Sequence, residues 1–169
     1  MYSWRGREET EQDYAAVRLL NQAAFEGEAE ARLIEGLRQK ATPLISLIAE
    51  ADGELVGHIL FSPVTHSGDA ELKLMGLAPM AVAPASQRSG IGSALIEAGL
   101  ARCQAIGAAG VVVLGHPNYY PRFGFKPART FGLVSEFKGV GDAFMAREIA
   151  GGLDVKAGLV KYHPEFSRL

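Results

Sequence analysis

Residues Met80-Ala81-Val82-Ala83-Pro84-Ala85-Ser86-Gln87-Arg88-Ser89-Gly90-Ile91-Gly92-Ser93 decide how this chain is read. An apolar run meets a proline, and a polar, glycine-bearing turn follows. From Ile91 onward, Ala94, Leu95, Ala98 and Ala101 recur on one side of a helix, widened by Ile96, Leu100 and Cys103. Main-chain N–H groups at a helix start lack intrahelical partners and carry the positive end of the helix dipole. Glycines let a ligand approach that main chain, which suits a pyrophosphate, and Arg88 adds a candidate charge-assisted contact. Three readings compete. A P-loop needs Gly-Lys-Ser/Thr after its spacer, and the turn has none. A dinucleotide fingerprint needs a third Gly or Ala where Leu95 stands, and a βαβ unit where hairpins precede the motif. The third reading is a glycine-rich turn with no ligand.

Upstream, Tyr2 to Glu8 reads as a first strand. A helix follows Asp13 as N-cap, with Tyr14, Val17, Leu20 and Ala24 at helical spacing. A second helix runs from Glu28 to Lys40 and stops at Thr42-Pro43. Leu44 to Glu50 is a strand, Asp52-Gly53 a hairpin turn, and Leu55 to Val64 the returning strand. After the turn at Ser67-Gly68-Asp69, Leu72 to Val82 is a long apolar strand. Gly76 and Pro79 within it predict interrupted pairing. Downstream of the helix, Gly107 and Gly110 close it, and Val111 to Leu114 is a strand buried on both faces. A helical turn is expected over Tyr119 to Phe123, and strands over Asp142 to Ile149 and Gly158 to Tyr162. The order is α/β of the α+β kind: a mixed, mostly antiparallel sheet with helices on both faces. Residues 72–114 supply one parallel pair through a right-handed crossover.

The chain has 169 residues, which predicts one domain spanning 1–169. Seventeen Lys and Arg against nineteen Asp and Glu give a net charge of −2, so no basic field marks a nucleic-acid binder. One cysteine, Cys103, excludes a disulfide framework and a multi-Cys zinc site. It falls on the inner face of its helix, as a structural thiol does. The four histidines lack metal-ligand spacing, so no metal is expected. No apolar run is long enough to span a membrane, and the first residues are no secretory signal. The expected compartment is the cytoplasm.

Gln87-x-x-Gly90-x-Gly92, preceded by Met80 to Pro84, resembles the acetyl-CoA-binding motif of the GNAT N-acetyltransferase superfamily. Tyr120-Pro121-Arg122-Phe123-Gly124-Phe125 resembles that superfamily's Tyr-x-x-x-Gly-Phe segment. The element order extends the resemblance over residues 1 to 150. Leu77 to Gly92, Gly115-His116-Pro117 and Tyr119 to Phe125 are most similar to its small bacterial YhbS-like branch.

The resemblance implies a single-domain GNAT-like fold in which strands 72–83 and 110–115 splay apart. It also implies an acetyl-CoA-dependent N-acetyltransferase in which a primary amine attacks the thioester directly. By position, Met80, Ala81 and Val82 offer main-chain contacts to pantetheine. Gln87, Arg88, Ser89, Gly90, Ile91, Gly92 and Ser93 form the turn for the pyrophosphate. Tyr120 matches the residue that protonates the departing thiolate; a core aromatic is the rival role. His116, just after the second splayed strand, is the first candidate for general base because an imidazole titrates near neutrality. Glu50, His58 and a water relay are the others. Tyr119 lines the acceptor cleft or packs. Arg122 faces solvent or a CoA phosphate, and Phe131 to Val140 borders the acceptor pocket. The ending Lys161 to Phe166 docks on the sheet or on a second subunit, which leaves a homodimer open. Small-molecule and peptide amines both remain as acceptors. The rival to turnover is an acyl-CoA sensor, a domain that binds without transfer.

Overall fold

The structure, a computed structural model, describes residues 3–154 and 156–169; Tyr2, the expected start of the first strand, lies outside the described residues. Strand β1 (Arg5–Glu8) is followed by helices α1 (Tyr14–Phe25) and α2 (Ala29–Lys40). Val17, Leu20 and Asn21 turn inward from α1, and Ala31, Leu33, Ile34 and Leu37 from α2. This is the three-and-four spacing of a one-sided apolar stripe. Asp13 stands at the start of α1, but its carboxylate is held by Arg7, at 2.7 Å, and by the Thr10 N–H, so it does not cap the helix.

Strands β2 (Ile45–Ala51) and β3 (Glu54–His66) form a hairpin through Asp52 and Gly53, both at positive φ, as a two-residue turn requires. Strand β4 (Leu74–Val82) returns antiparallel to β3. Helix α3 (Ile91–Ala105) then crosses to β5 (Gly110–Leu114), parallel to β4. Gly110 therefore opens β5 and does not close the helix. Two-residue β6 (Lys126–Pro127) and β8 (Phe144–Glu148) complete a sheet of order β1-β2-β3-β4-β5-β8-β6. Strand β7 (Leu133–Ser135) pairs in parallel with β9 (Gly158–Lys161), which also joins the end of β3 through Thr65 and Lys161. Val111 to Val113 are buried, whereas Leu114 is exposed.

Helix α3 covers one face of the sheet, over Ile59, Phe61 and Leu77. Helices α1 and α2 cover the other, over Leu60, Val64 and Leu74. Two glycines let α3 lie close. A Cβ on Gly99 would stand 2.0 Å from the Phe61 ring, and one on Gly57 2.8 Å from Ile91. The Gly57 notch fixes where the first turn of α3 rests, beside the end of β4. Among the described residues, no helix is long and apolar enough to cross a membrane.

The expected interruption in β4 falls at Pro79 and not at Gly76. Gly76 stays paired, with Ser62 on one side and Val112 on the other. Its missing side chain makes room for the Tyr162 ring, 2.8 Å from the position of a Cβ. The irregularity falls two residues later, where Leu60 of β3 faces both Ala78 and Pro79, between the pairs Phe61–Leu77 and Ile59–Met80. An extra residue bends a strand, and a proline withholds a ladder N–H. The parallel pairing of β4 with β5 stops at Gly76–Val112. Beyond it, β4 follows β3 to Val82 while β5 follows β8 to Leu114.

Candidate functional site

Where β4 and β5 part, a cleft of about 360 Å³ opens. Leu77, Pro79 and Met80 form one wall; Val113, Leu114, Gly115 and His116 form the other, and Tyr120 lines it with them. Phe25, Glu30 and Leu33 close it from the α1–α2 side, together with Phe166 from the C-terminal turn. This last group was missed by sequence reading.

The glycine turn lies beside the freed end of β4. Arg88 (φ 65°) and Gly90 (φ 87°) are both left-handed, and no atom lies within 4 Å of where a Gly90 Cβ would stand. The first helical bond of α3 runs from the Ala94 N–H to the Gly90 carbonyl at 3.0 Å. The N–H groups of Ile91, Gly92 and Ser93 precede it and have no partner within the helix. Gln87 donates its side-chain amide to the Val82 carbonyl at 3.2 Å, tying the turn to the strand. The Ser89 hydroxyl bonds the Ser86 carbonyl. Ser93 meets the Tyr119 hydroxyl at 3.4 Å, and Arg122 stacks over the Tyr119 ring at 4.9 Å. Tyr119 therefore braces the turn and does not line the cleft.

Tyr120 opens a short helical turn, Tyr120–Phe123, whose approach is set by His116: its carbonyl accepts from the N–H groups of Tyr119 and Tyr120 at 3.0 and 3.3 Å. The Tyr120 ring is buried, edge-on to Tyr119 and Phe125. Burial first, and Tyr119 second, push its phenol up to about 12. The phenol is therefore protonated across the physiological range.

The candidate bases divide. His116 is exposed and lines the cleft. Glu50 is drawn instead to the outer edge of the sheet, where it pairs with Arg7 at 3.2 Å. His58 is fully buried, with Ser46 2.9 Å from Nε2 and Asn21 3.3 Å from Nδ1, and it does not line the cleft. Burial, with Arg38 adding a smaller effect, holds its pKa down to about 3, so it stays neutral. Phe131 to Val140 does not border the cleft either; Phe137 leans on Tyr162 instead, with ring centroids 6.1 Å apart. Cys103 is sealed in the core, and burial raises its thiol to about 12, far from a reactive thiolate. Among the described residues, no group of three His, Cys, Asp or Glu is placed to hold a metal ion.

Comparison with known proteins agrees with this geometry. The acetyltransferase (GNAT) family model matches residues 7–125. The chain is 35% identical over 158 residues to the uncharacterized N-acetyltransferase YhbS of Escherichia coli (strain K12), covering 92% of this chain and 94% of that one. The crystal structure of Escherichia coli YhbS in complex with CoA superposes with a TM-score of 0.91 at 33% identity, over 100% of this chain and 94% of the other. A GNAT family acetyltransferase from Brucella melitensis, crystallised with acetyl-CoA, gives a TM-score of 0.81 at 37% identity, over 98% and 99% of the two chains.

Proposed function

The chain belongs to the acetyltransferase (GNAT) family, and from that premise we propose that it transfers an acetyl group from acetyl-CoA to a primary amine by direct attack on the thioester. The observation that carries this reading is the end of the β4–β5 pairing at Gly76–Val112, with the glycine turn on one side of the opening and Tyr120 on the other. Relatives of similar fold hold CoA or acetyl-CoA. We take residues 1–169 as one such domain, because the C-terminal turn closes the same cleft.

Acetyl-CoA supplies the activated acyl group. The free N–H groups at the start of α3 receive the pyrophosphate, and the open Gly90 surface lets it approach. The unpaired edge of β4, from Leu77 to Val82, offers main-chain groups to the pantetheine amides, as a strand edge does to an added strand. A main-chain N–H near Ala81 or Val82 stabilises charge on the thioester oxygen. His116 takes the proton that the attacking nitrogen must lose. Over the whole reaction an N–C bond forms, the C–S bond breaks, one proton ends on sulfur and one goes to solvent.

Tyr120 stands at the leaving group. Full transfer of a proton from a phenol near 12 to an ordinary thiolate, with thiol pKa about 8.5, is uphill by about 5 kcal/mol. Tyr120 therefore acts chiefly as a hydrogen-bond donor to the departing sulfur. Its proton follows only as the same apolar surroundings make the thiolate more basic.

Titration calorimetry with acetyl-CoA, with ATP and NAD as controls, tests the reading. Micromolar binding by acetyl-CoA alone, followed by thiol release with an amine, is the expected result. Binding with no thiol release across a broad amine panel would make the chain an acyl-CoA sensor. No binding by folded protein freed of carried-over CoA would remove the Gln87 to Gly92 turn as a cofactor site.

A further inference from the structure

We propose that the acceptor is a small apolar monoamine, recognised as its ammonium ion by Glu30; the proposal rests on the acetyltransferase reading above and names its substrate class. Glu30 lies in the first turn of α2, is half-buried, and lines the cleft together with Phe25, Leu33 and His116. Among the described residues, no lysine or arginine lines the cleft.

Among the described residues, Glu30 has no ion-pair partner, whereas its acidic neighbours are matched. Glu28 pairs with Arg32 at 2.8 Å and with Arg18 at 3.5 Å. Glu165, within the C-terminal turn, pairs with Lys40 at 2.7 Å. A carboxylate partly withdrawn from water and lacking a cation is poorly compensated, and a bound ammonium supplies the missing charge-assisted contact.

The rest of the wall sets the remainder of the substrate. Phe25, Leu33, Leu77 and Phe166 present apolar surface, and burying apolar surface there favours an alkyl or aryl amine. An amino acid would bring a second carboxylate next to Glu30, with no cation among the described lining residues to receive it. A polyamine would bring further ammonium groups, for which the described lining offers no second acidic side chain. A volume of about 360 Å³, shared with the acetyl end, suits a small molecule.

The test measures acetyl transfer to phenethylamine and isopentylamine against spermidine, free amino acids and a lysine peptide. Calorimetry with acetyl-CoA accompanies it for wild type and Glu30→Gln. The expected result is kcat/KM for the two apolar amines at least about tenfold above every other acceptor. In Glu30→Gln, KM for phenethylamine rises about tenfold, with kcat within about threefold. KM for aniline, uncharged at pH 7, does not move, because the contact needs a cation. Preference for spermidine, amino acids or the peptide overturns the proposal. So does an equal rise in KM for phenethylamine and aniline, the mark of a distorted wall. Acetyl-CoA binding without transfer to either apolar amine also overturns it and leaves the cofactor site standing. Absence of acetyl-CoA binding overturns the acetyltransferase reading itself.

Discussion

The Tyr120 ring rests on the bare main chain of Gly115: a Cβ there would stand 2.3 Å from Tyr120 Cε2 and 2.9 Å from Cδ2. The residue just after the second splayed strand thus sets how deep the candidate proton donor sits. Gly115→Ala must push the ring aside. We expect it to cost about 1–3 kcal/mol in stability, as overpacking does. It should lower kcat nearly as much as losing the phenol. Combined with Tyr120→Phe, the two rate losses should fall well short of additive, because both act through one hydroxyl. Additive losses in this double-mutant cycle would mean that Gly115 serves another purpose.

Tyr120→Phe tests the donor directly. With a good acceptor, kcat should fall about 10²-fold throughout pH 7–9, while acetyl-CoA affinity stays within a few-fold. Because burial holds the phenol near 12, the wild type should show no alkaline loss assignable to Tyr120 across that range. A kcat within twofold of wild type would end its role at the leaving group.

His116→Ala should lower kcat/KM by about 10²-fold if the imidazole takes the amine's proton. A loss below threefold would pass the task to water. Measuring both values with phenethylamine and aniline is informative, since aniline arrives already deprotonated and depends less on removing the first proton.

His58 carries a pH dependence of stability rather than of rate. The folded chain holds it neutral down to about pH 3, whereas in the unfolded chain it takes a proton near 6.5. Between those values the unfolded state binds more protons, so stability falls as pH falls, by up to about 1.4 kcal/mol per unit. Urea unfolding at pH 7 and pH 5 should show this slope, and His58→Gln should flatten it. An unchanged slope would place the acid sensitivity in the carboxylates.

Short-range signals were the legible ones. The strand, turn and helix around Gln87 to Ser93 follow from local spacing and glycine content, and so does the weakness of β4 near Pro79. The exact break was not legible, because it depends on which residue of β3 faces Ala78 and Pro79. Gly76 looked like a pairing fault. It is the seat of a tyrosine 86 positions away in sequence, and no local pattern encodes such a contact. Glu50 looked near enough to act as a base until β1 brought Arg7 beside it. Glu30 carried no signal at all: one acid among several at the start of a helix. Only the approach of β5 and the C-terminal turn makes it part of a cleft wall. Strands as short as β6 and β7 fall below what periodicity can detect.

The C-terminal turn that brings Phe166 to the cleft is tethered through β9 to the far end of β3, at Thr65–Lys161. It shares no backbone with the turn proposed for the pyrophosphate. The two halves of the cleft can therefore drift independently. Changes in residues 158–169 can retune which amine is admitted while the nucleotide half stays as inherited.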